Sequence, residues 1–357
     1  MTTVLFRCAR DTDLDGIHRL AKRSGIGLTT LPKEIELLRK RLLWSTDSFK
    51  KTVDAPQCEY YLFVLECIEN GNIVGTSAIE AATGHDAPFY SYKRSKRTRI
   101  CHELDIRSDD EILSLVNDNQ GHSEICTLFL DPSYRANGNG LLLSRARFLF
   151  ISHSPKRFAE TIIAEMRGVS NEDGHSPFWD QIGRHFFKMS FDEADRLTLS
   201  TNKQFISDLM PSNPIYVSLL TPEAQAVIGQ PHPSTIPAMN ILLQEGFRHS
   251  NYIDIFDAGP TLEAHRDHLS TIRNSRSLIV HQIMDEVTGD RFIIANHQED
   301  FCATIGHAVI KEDQKTCVIS HQTAQILQIH LGDSLSLSPL HPTDSSFFNK
   351  ERHDCSS

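Results

Sequence analysis

The chain has 357 residues, with 36 Lys plus Arg against 46 Asp plus Glu, which gives a formal charge of −10 with histidine neutral. That length predicts two or three domains, and a composition of 39% hydrophobic and 23% charged residues with 18 Gly and 15 Pro excludes a disordered, collagenous or small disulfide-scaffold protein. Nucleic acid and membrane are excluded as partners: the densest basic stretch, residues 93–99, is soon followed by Asp105, Asp109 and Asp110, and no apolar run nears the roughly 18 to 20 residues of a membrane helix.

Residues 4–10 predict a strand, and Asp11 or Asp13 a cap for a helix whose apolar positions Leu14, Ile17, Leu20 and Ala21 recur at helical spacing. A loop from Gly25 to Pro32 leads to a second helix on Ile35, Leu38 and Leu42. Residues 60–66 and 73–80 predict a hairpin around Asn70-Gly71. Residues 84–122 carry charge and Pro88 without sustained periodicity, and predict a long excursion with a short helix or hairpin. Residues 124–130 predict a buried strand stopped by Asp131-Pro132, and residues 141–151 a helix after a Gly-Asn-rich turn.

Residues 161–166 predict the next strand, and Ser176-Pro177 a helix start, followed by an aromatic-rich run over 182–191. A second unit follows: residues 211–217, a helix near 222–228, a loop over 229–233, a helix over 238–245 with Gly246 at its C-terminal end, and a strand over 252–256. From about residue 275, β-rich runs at 278–283, 291–295, 302–310, 316–320 and 334–337 predict a small all-β appendage, with a polar, frayed tail after Pro342.

The chemistry concentrates where the strand at 124–130 runs through Arg135-Ala136-Asn137-Gly138-Asn139-Gly140 into a helix. Glycines let backbone approach a diphosphate, successive N–H groups meet its oxygens, and the helix N-terminus adds partial positive charge. The loop lacks both the Walker lysine and the full Gly-x-Gly-x-x-Gly of dinucleotide folds, which leaves an acyl-coenzyme A. The eight cysteines form no Cys-x-x-Cys pair, and the eighteen histidines contain no His-Glu-x-x-His, the closest pair being His265 and His268. Reduced thiols, no catalytic metal and, without a secretory signal pattern, a cytoplasmic location are expected.

The order β-α-α-β-β, then a strand, Arg135-x-x-Gly138-x-Gly140 and a helix, resembles the GNAT acyltransferase superfamily. Gly27-Leu28-Thr29-Thr30-Leu31-Pro32, Ala164-Glu165-Met166-Arg167-Gly168, Gly229-Gln230-Pro231-His232-Pro233 and Asp254-Ile255-Phe256-Asp257-Ala258-Gly259-Pro260 narrow the resemblance, over residues 25–265, to the arginine N-succinyltransferase family. The resemblance implies transfer of succinyl from succinyl-CoA, as co-substrate, to the α-amino group of L-arginine, the first step of arginine catabolism by the succinyltransferase route. It implies an α+β fold: a GNAT-like mixed β-sheet flanked by helices, arranged as two tandem GNAT-like units with a small all-β C-terminal subdomain. The expected borders are 1–200 for the acyl-CoA-binding domain, 201–272 for the unit with the proton-donor loop, 273–342 for the β-rich subdomain and 343–357 for the tail.

The family's proton-donor histidine falls on His232 and its succinyl-CoA contact on Leu128. With the loop, the expected donor-binding residues are Leu128, Leu130, Arg135, Asn137, Gly138, Asn139 and Gly140. Chemically, an α-amine must lose a proton, the tetrahedral oxyanion needs a donor, and the departing thiolate benefits from a proton. The backbone N–H near Leu128 suits the oxyanion, and His232, with an ordinary pKa near 6.5, suits proton transfer. The base for the amine is open between His232 through a water, Glu124 and Glu165. Arg135 suits a coenzyme A phosphate better than a local ion pair, Arg167 suits the succinyl carboxylate or a structural ion pair equally, and Trp179 suits the core. Two alternatives accompany this reading: a subunit of a hetero-oligomeric arginine/ornithine succinyltransferase, and a non-catalytic homologue that binds acyl-CoA or arginine. Exposed strand edges in the β-rich end make a homo- or hetero-oligomer a further expectation.

Overall fold

The computed structural model describes residues 3–25, 28–85, 87–171, 174–200 and 204–341. Gly27, Cys355 and the expected tail over 343–357 lie outside the described residues. The described chain is a mixed α+β structure built on one 15-stranded sheet.

Strand β1 (Val4–Cys8) leads to helices α1 (Leu14–Arg23) and α2 (Ile35–Lys50), then to the hairpin β2 (Tyr60–Cys67) and β3 (Ile73–Glu80). The β2 run is apolar throughout because both its faces are covered. Tyr61, Phe63 and Leu65 belong to one core, while Tyr60, Leu62 and Val64 pack with Ile17, Leu20, Leu38 and Leu42 of α1 and α2 on the other face. Residues 84–122 form a hairpin longer than expected, β4 (Ser91–Cys101) and β5 (Ile106–Val116), paired in register along its whole length. Its charges meet across the strands: Lys96 stands opposite Glu111 and Arg97 opposite Asp110, Arg94 pairs diagonally with Glu111 and Arg99 with Asp110, and Thr98 donates to Asp109 opposite it. Cross-strand charge pairs therefore take the place of an apolar stripe.

Strand β6 (Ser123–Leu130) is followed by helix α3 (Asn139–His153), whose Leu142, Leu143, Phe148, Leu149 and Ile151 fill the core beneath Phe6 and Phe63, and by strand β7 (Thr161–Glu165). The short helices α4 (Pro177–Gln181), α5 (Gly183–Phe187), α6 (Phe191–Ser200) and α7 (Gln204–Leu209) come next. Ser176 caps α4 through the N–H of Trp179, and Trp179 is fully buried, stacked on Phe256, which makes it core as expected. The two-residue strand β8 (Ile215–Tyr216), α8 (Pro222–Val227), α9 (Ile236–Glu245), β9 (Arg248–Ile253), β10 (Pro260–His265) and α10 (Ser270–Arg273) complete this part. Gly246 closes α9 with φ 104°, the left-handed C-cap that glycine favours.

Three expectations change here. The strand expected over 252–256 lies at Arg248–Ile253, because the Asp254 carboxylate accepts from the N–H groups of Phe256 and Asp257 and turns the chain. Residues 201–272 have no sheet of their own among the described residues: β10 pairs antiparallel with β7, and β9 pairs with β10 and β4, so they extend the first sheet. The C-terminal part is not all-β. It contains β11 (Arg276–Met284), β12 (Asp290–Asn296), β13 (Cys302–Ile310) and β14 (Thr316–Ser320), then helix α11 (His321–Leu327), capped by Ser320, before β15 (Ser334–Pro339).

These five strands pair in the order β12-β15-β11-β14-β13, and β12 also pairs with β13, which closes them into a ring around Leu278, Val280, Phe292, Ile294 and Leu335. Closure satisfies the strand edges that the sequence left open. The ring joins the main sheet through β13 and β1, with Phe6 opposite Ala303.

Candidate active site

Strands β6 and β7 run parallel but pair only at Ser123 with Ile162 and Glu124 with Ile163. Beyond those two positions they diverge, and a cavity of about 170 Å³ opens between Cys126, Thr127 and Leu128 on one wall and Glu165, Met166 and Arg167 on the other. Across β6 and β3, Cys126 faces Ala78 and Phe129 faces Thr76, so Thr127 and Leu128 together oppose the single residue Ser77. This is a β-bulge. Thr127 has φ 57°, a costly conformation for a β-branched residue, and its surroundings hold it there. Its N–H donates to Thr30 Oγ1 (3.1 Å), its Oγ1 meets Tyr60 Oη (2.9 Å), and its carbonyl accepts from Thr76 Oγ1 (3.0 Å). Leu128 consequently leaves the ladder with β3 and lines the cleft.

The glycine loop stands at the start of α3, a 15-residue helix. Gly138 takes φ 89° as its N-cap, next to Asn137 at φ 57°. A Cβ at Gly138 would also stand 3.1 Å from Ile305 and 3.2 Å from Leu340, so packing against the C-terminal part demands glycine as well. Asn137 is exposed, and its carbonyl accepts from Arg291 (2.9 Å). Arg135 is exposed and forms no ion pair among the described residues; its Nε donates to Leu130 O (3.1 Å). Leu130 is a core side chain, near Gly75 and Gly140. Asn139 is buried, its N–H closes on Ala136 O and its side-chain amide on Tyr134 O (both 3.0 Å). Of the expected loop residues, Asn139 and Leu130 thus shape the turn, while Arg135 and the N-terminal end of α3 border its open side.

His232 is brought to the end of β7 by backbone. Its N–H donates to Arg167 O (2.8 Å), and Pro231 forms an antiparallel bridge with Gly168. The Ser234 N–H donates to His232 Nδ1 (3.2 Å) and the Ser234 hydroxyl lies 2.7 Å from the same atom, an arrangement that leaves Nε2 as the protonated nitrogen of the neutral ring. Burial and then the nearby Arg167 cation hold the imidazole below its ordinary value.

Behind this wall Gly168 and Gly259 lie backbone to backbone, a Cβ on Gly259 falling 1.9 Å from Met166 O and one on Gly168 falling 2.3 Å from Asp257 O. Gly259→Ala is therefore expected to destabilise by about 1–3 kcal/mol or more and to displace the His232 loop. A urea midpoint unchanged from wild type would contradict this close approach.

The cavity's inner lining is acidic, with Glu124, Glu165, Asp195, Asp254 and Asp257. Burial, and then the charge of Asp254, push Asp195 up to about 8, while burial raises Asp254 and Asp257. A carboxyl raised by burial and by acidic neighbours ionises more readily when a cationic guest is brought beside it. Among the described residues no group of three His, Cys, Asp or Glu side chains is arranged to hold a metal ion. The cysteines among them carry no disulfide. Cys126 is buried with its thiol pushed far up.

The family model described as arginine N-succinyltransferase beta subunit matches residues 4–271, and the model of that family's C-terminal domain matches residues 276–339. The chain belongs to this family. It is 43% identical over 346 residues to the arginine N-succinyltransferase of Photorhabdus laumondii, covering 96% of this chain and 100% of that protein. It is 41% identical over 337 residues to the arginine N-succinyltransferase subunit beta of Pseudomonas aeruginosa, covering 94% and 98%. Its fold matches the structure of arginine/ornithine succinyltransferase subunit AI from Pseudomonas aeruginosa with a TM-score of 0.87 at 35% identity, over 96% of this chain and 100% of that one.

Within this family member, sequence reasoning missed Arg147, Asp195 and Asp257 and the bulge at Thr127. Arg147 had a signal: it lies among Phe148, Leu149 and Phe150 in a helix apolar on every side, and it is 1% exposed at the cavity. Asp195 had none, and Asp257 stood in the stretch 254–260 that carries the resemblance without a role being read from it.

Proposed function

We propose that this chain transfers the succinyl group of succinyl-CoA to the α-amino group of L-arginine, giving N2-succinyl-L-arginine and coenzyme A, the first step of arginine catabolism by the succinyltransferase route. One observation carries the reading. The bulge at Thr127-Leu128 stands in a parted strand pair; the glycine loop that opens α3 follows the one strand, and His232 is bonded through its N–H to Arg167 O at the end of the other.

The diphosphate of the co-substrate lies against Arg135 and the backbone at Asn137, Gly138 and Gly140, and its pantetheine arm enters the parted strands. The backbone N–H of Leu128 steadies the thioester oxygen as it gains charge. Neutral His232 takes the proton released by the amine, and returns it as an acid to the thiolate that leaves. The acid-lined floor draws in the guanidinium. Attack is direct, without a covalent enzyme intermediate, and no metal takes part.

Architecturally, residues 4–271 are read as one GNAT-like unit rather than two in tandem, a reading supported by the sheet that continues across residue 200 into β9 and β10. Residues 273–342 are a separate β-rich subdomain. A cytoplasmic location stays a proposal from the sequence; no helix among the described residues is long and apolar enough to cross a membrane.

Release of coenzyme A, followed with a thiol-reactive dye, tests the function. Release from succinyl-CoA that depends on L-arginine is expected; binding of succinyl-CoA without release for any amine would make this a binding-only homologue. The names of the two Pseudomonas relatives, a subunit beta and an arginine/ornithine enzyme's subunit AI, support a second reading in which L-ornithine is also accepted and the chain works in an oligomer. L-ornithine in the same assay decides the first part, and the sedimentation mass decides the second.

A further inference from the structure

We infer that Arg167 reads the free carboxylate of the acyl donor and so selects a dicarboxylic thioester over a plain one. The inference rests on the acyl-transfer reading above and adds the residue that sets donor specificity.

Sequence alone left Arg167 between a ligand and a structural ion pair. In the structure it has no carboxylate within ion-pair distance among the described residues, although Asp257 and Asp195 attract it from farther away. Asp257 is committed elsewhere: one of its oxygens accepts from Gly168 N (2.7 Å) and the other from Gly259 N (2.9 Å). Arg167 itself donates one terminal nitrogen to Ser170 Oγ (3.0 Å), while its Nε is buried and has no acceptor. A buried donor left unmatched is costly, and a guanidinium with an unmatched Nε offers an edge that a carboxylate fills with two parallel bonds.

Its position fits the acyl group. Arg167 directly follows Met166 at the end of the β7 wall, its carbonyl anchors His232, and its side chain lines the cavity shared with Leu128. A succinyl arm entering between β6 and β7 therefore meets this guanidinium within the same cavity as its thioester. The other guanidinium on the cavity is that of Arg147, which is fully buried where Arg167 is half-buried. Its Nε, Nη1 and Nη2 already donate to Ser144 O, Ala78 O and Ser144 Oγ, which ties it to the fold.

The test compares succinyl-CoA with butyryl-CoA, which has the same carbon chain without the carboxylate, in wild type, Arg167→Gln and Arg167→Lys. In Arg167→Gln the succinyl-to-butyryl ratio of kcat/KM is expected to fall roughly 10- to 100-fold, the succinyl reaction losing far more than the butyryl one, with the Lys variant intermediate. An equal fall for both donors would overturn the proposal. So would an unchanged donor ratio with a lost preference for L-arginine over L-argininamide, which would assign Arg167 to the acceptor's α-carboxylate. If the wild type released no coenzyme A, the functional reading would fail by itself. Calorimetric affinities of wild type and both variants for the two thioesters would then decide: loss of the succinyl preference on substitution supports the role of Arg167, and an unchanged preference overturns it.

Discussion

His232→Ala is expected to lower kcat by about two to four orders of magnitude while leaving the affinity for succinyl-CoA close to that of wild type, because proton transfer is removed and the thioester cleft is not. The ring is held by its own turn, Ser234 on Nδ1 and Arg167 O on the backbone N–H, so loss of the imidazole does not unpack a core. The pH profile carries the sign. Burial first, and the Arg167 cation second, disfavour the charged ring, so His232 is neutral at pH 7 and able to accept the amine's proton. Activity falls as pH drops through its pKa, which places the acid limb of kcat/KM below pH 6.5, the ordinary histidine value. Arg167→Gln removes the repelling cation and moves that limb to higher pH. An acid limb above pH 6.5 that persists in His232→Ala would assign proton transfer to another group.

The largest stability effect is expected at Glu245. Arg145 on α3 and Glu245 on α9 meet at 2.6 Å with side chains 1% and 0% exposed. Glu245 also accepts from Thr271 N (2.8 Å), and Arg145 donates to Leu340 O (2.6 Å), so one ion pair joins two helices, α10 and the chain after β15. Burial lifts Glu245 above the ordinary carboxylate range against the pull of Arg145, so ionising this group works against folding and its cost grows as pH rises through its pKa. The pair is therefore not worth much against a well-packed apolar pair, but half of it is harmful. Glu245→Ala leaves a guanidinium uncompensated and should cost about 3–5 kcal/mol, a large share of the usual 5–15 kcal/mol. The double variant Arg145→Met with Glu245→Leu should recover most of it. Urea unfolding at pH 7 checks both; a double variant no more stable than Glu245→Ala would refute the argument.

Much of this was legible because local rules and tertiary packing agree. The β-rich runs of β2 and β3 around Asn70-Gly71, the helix start at Ser176 and the glycine at 246 are read from residue type. Strand β10 was not, since Pro260 opens it and its edge is set by pairing with β7. The length of the β4–β5 hairpin, expected only as a short helix or hairpin, was hidden because its order lies in charges paired across strands, which no single-strand pattern reveals. Helix α11 is seven residues among β runs, too short for its periodicity to stand out. In the site, the glycine loop and His232 lie in contiguous motifs. The positive φ of Thr127 and the acidic floor depend on contacts among segments far apart, such as Thr30 with Thr127 and Gly168 with Asp257.

The most direct test of the account is mass analysis of a single turnover, with enzyme in excess over succinyl-CoA, quenched in the presence and absence of L-arginine. The account predicts unmodified enzyme in both samples and, only with L-arginine, a succinyl group on its α-nitrogen in step with coenzyme A release. A succinylated enzyme formed without arginine, or release of coenzyme A with no succinylarginine, would contradict direct transfer in the parted strands beside His232.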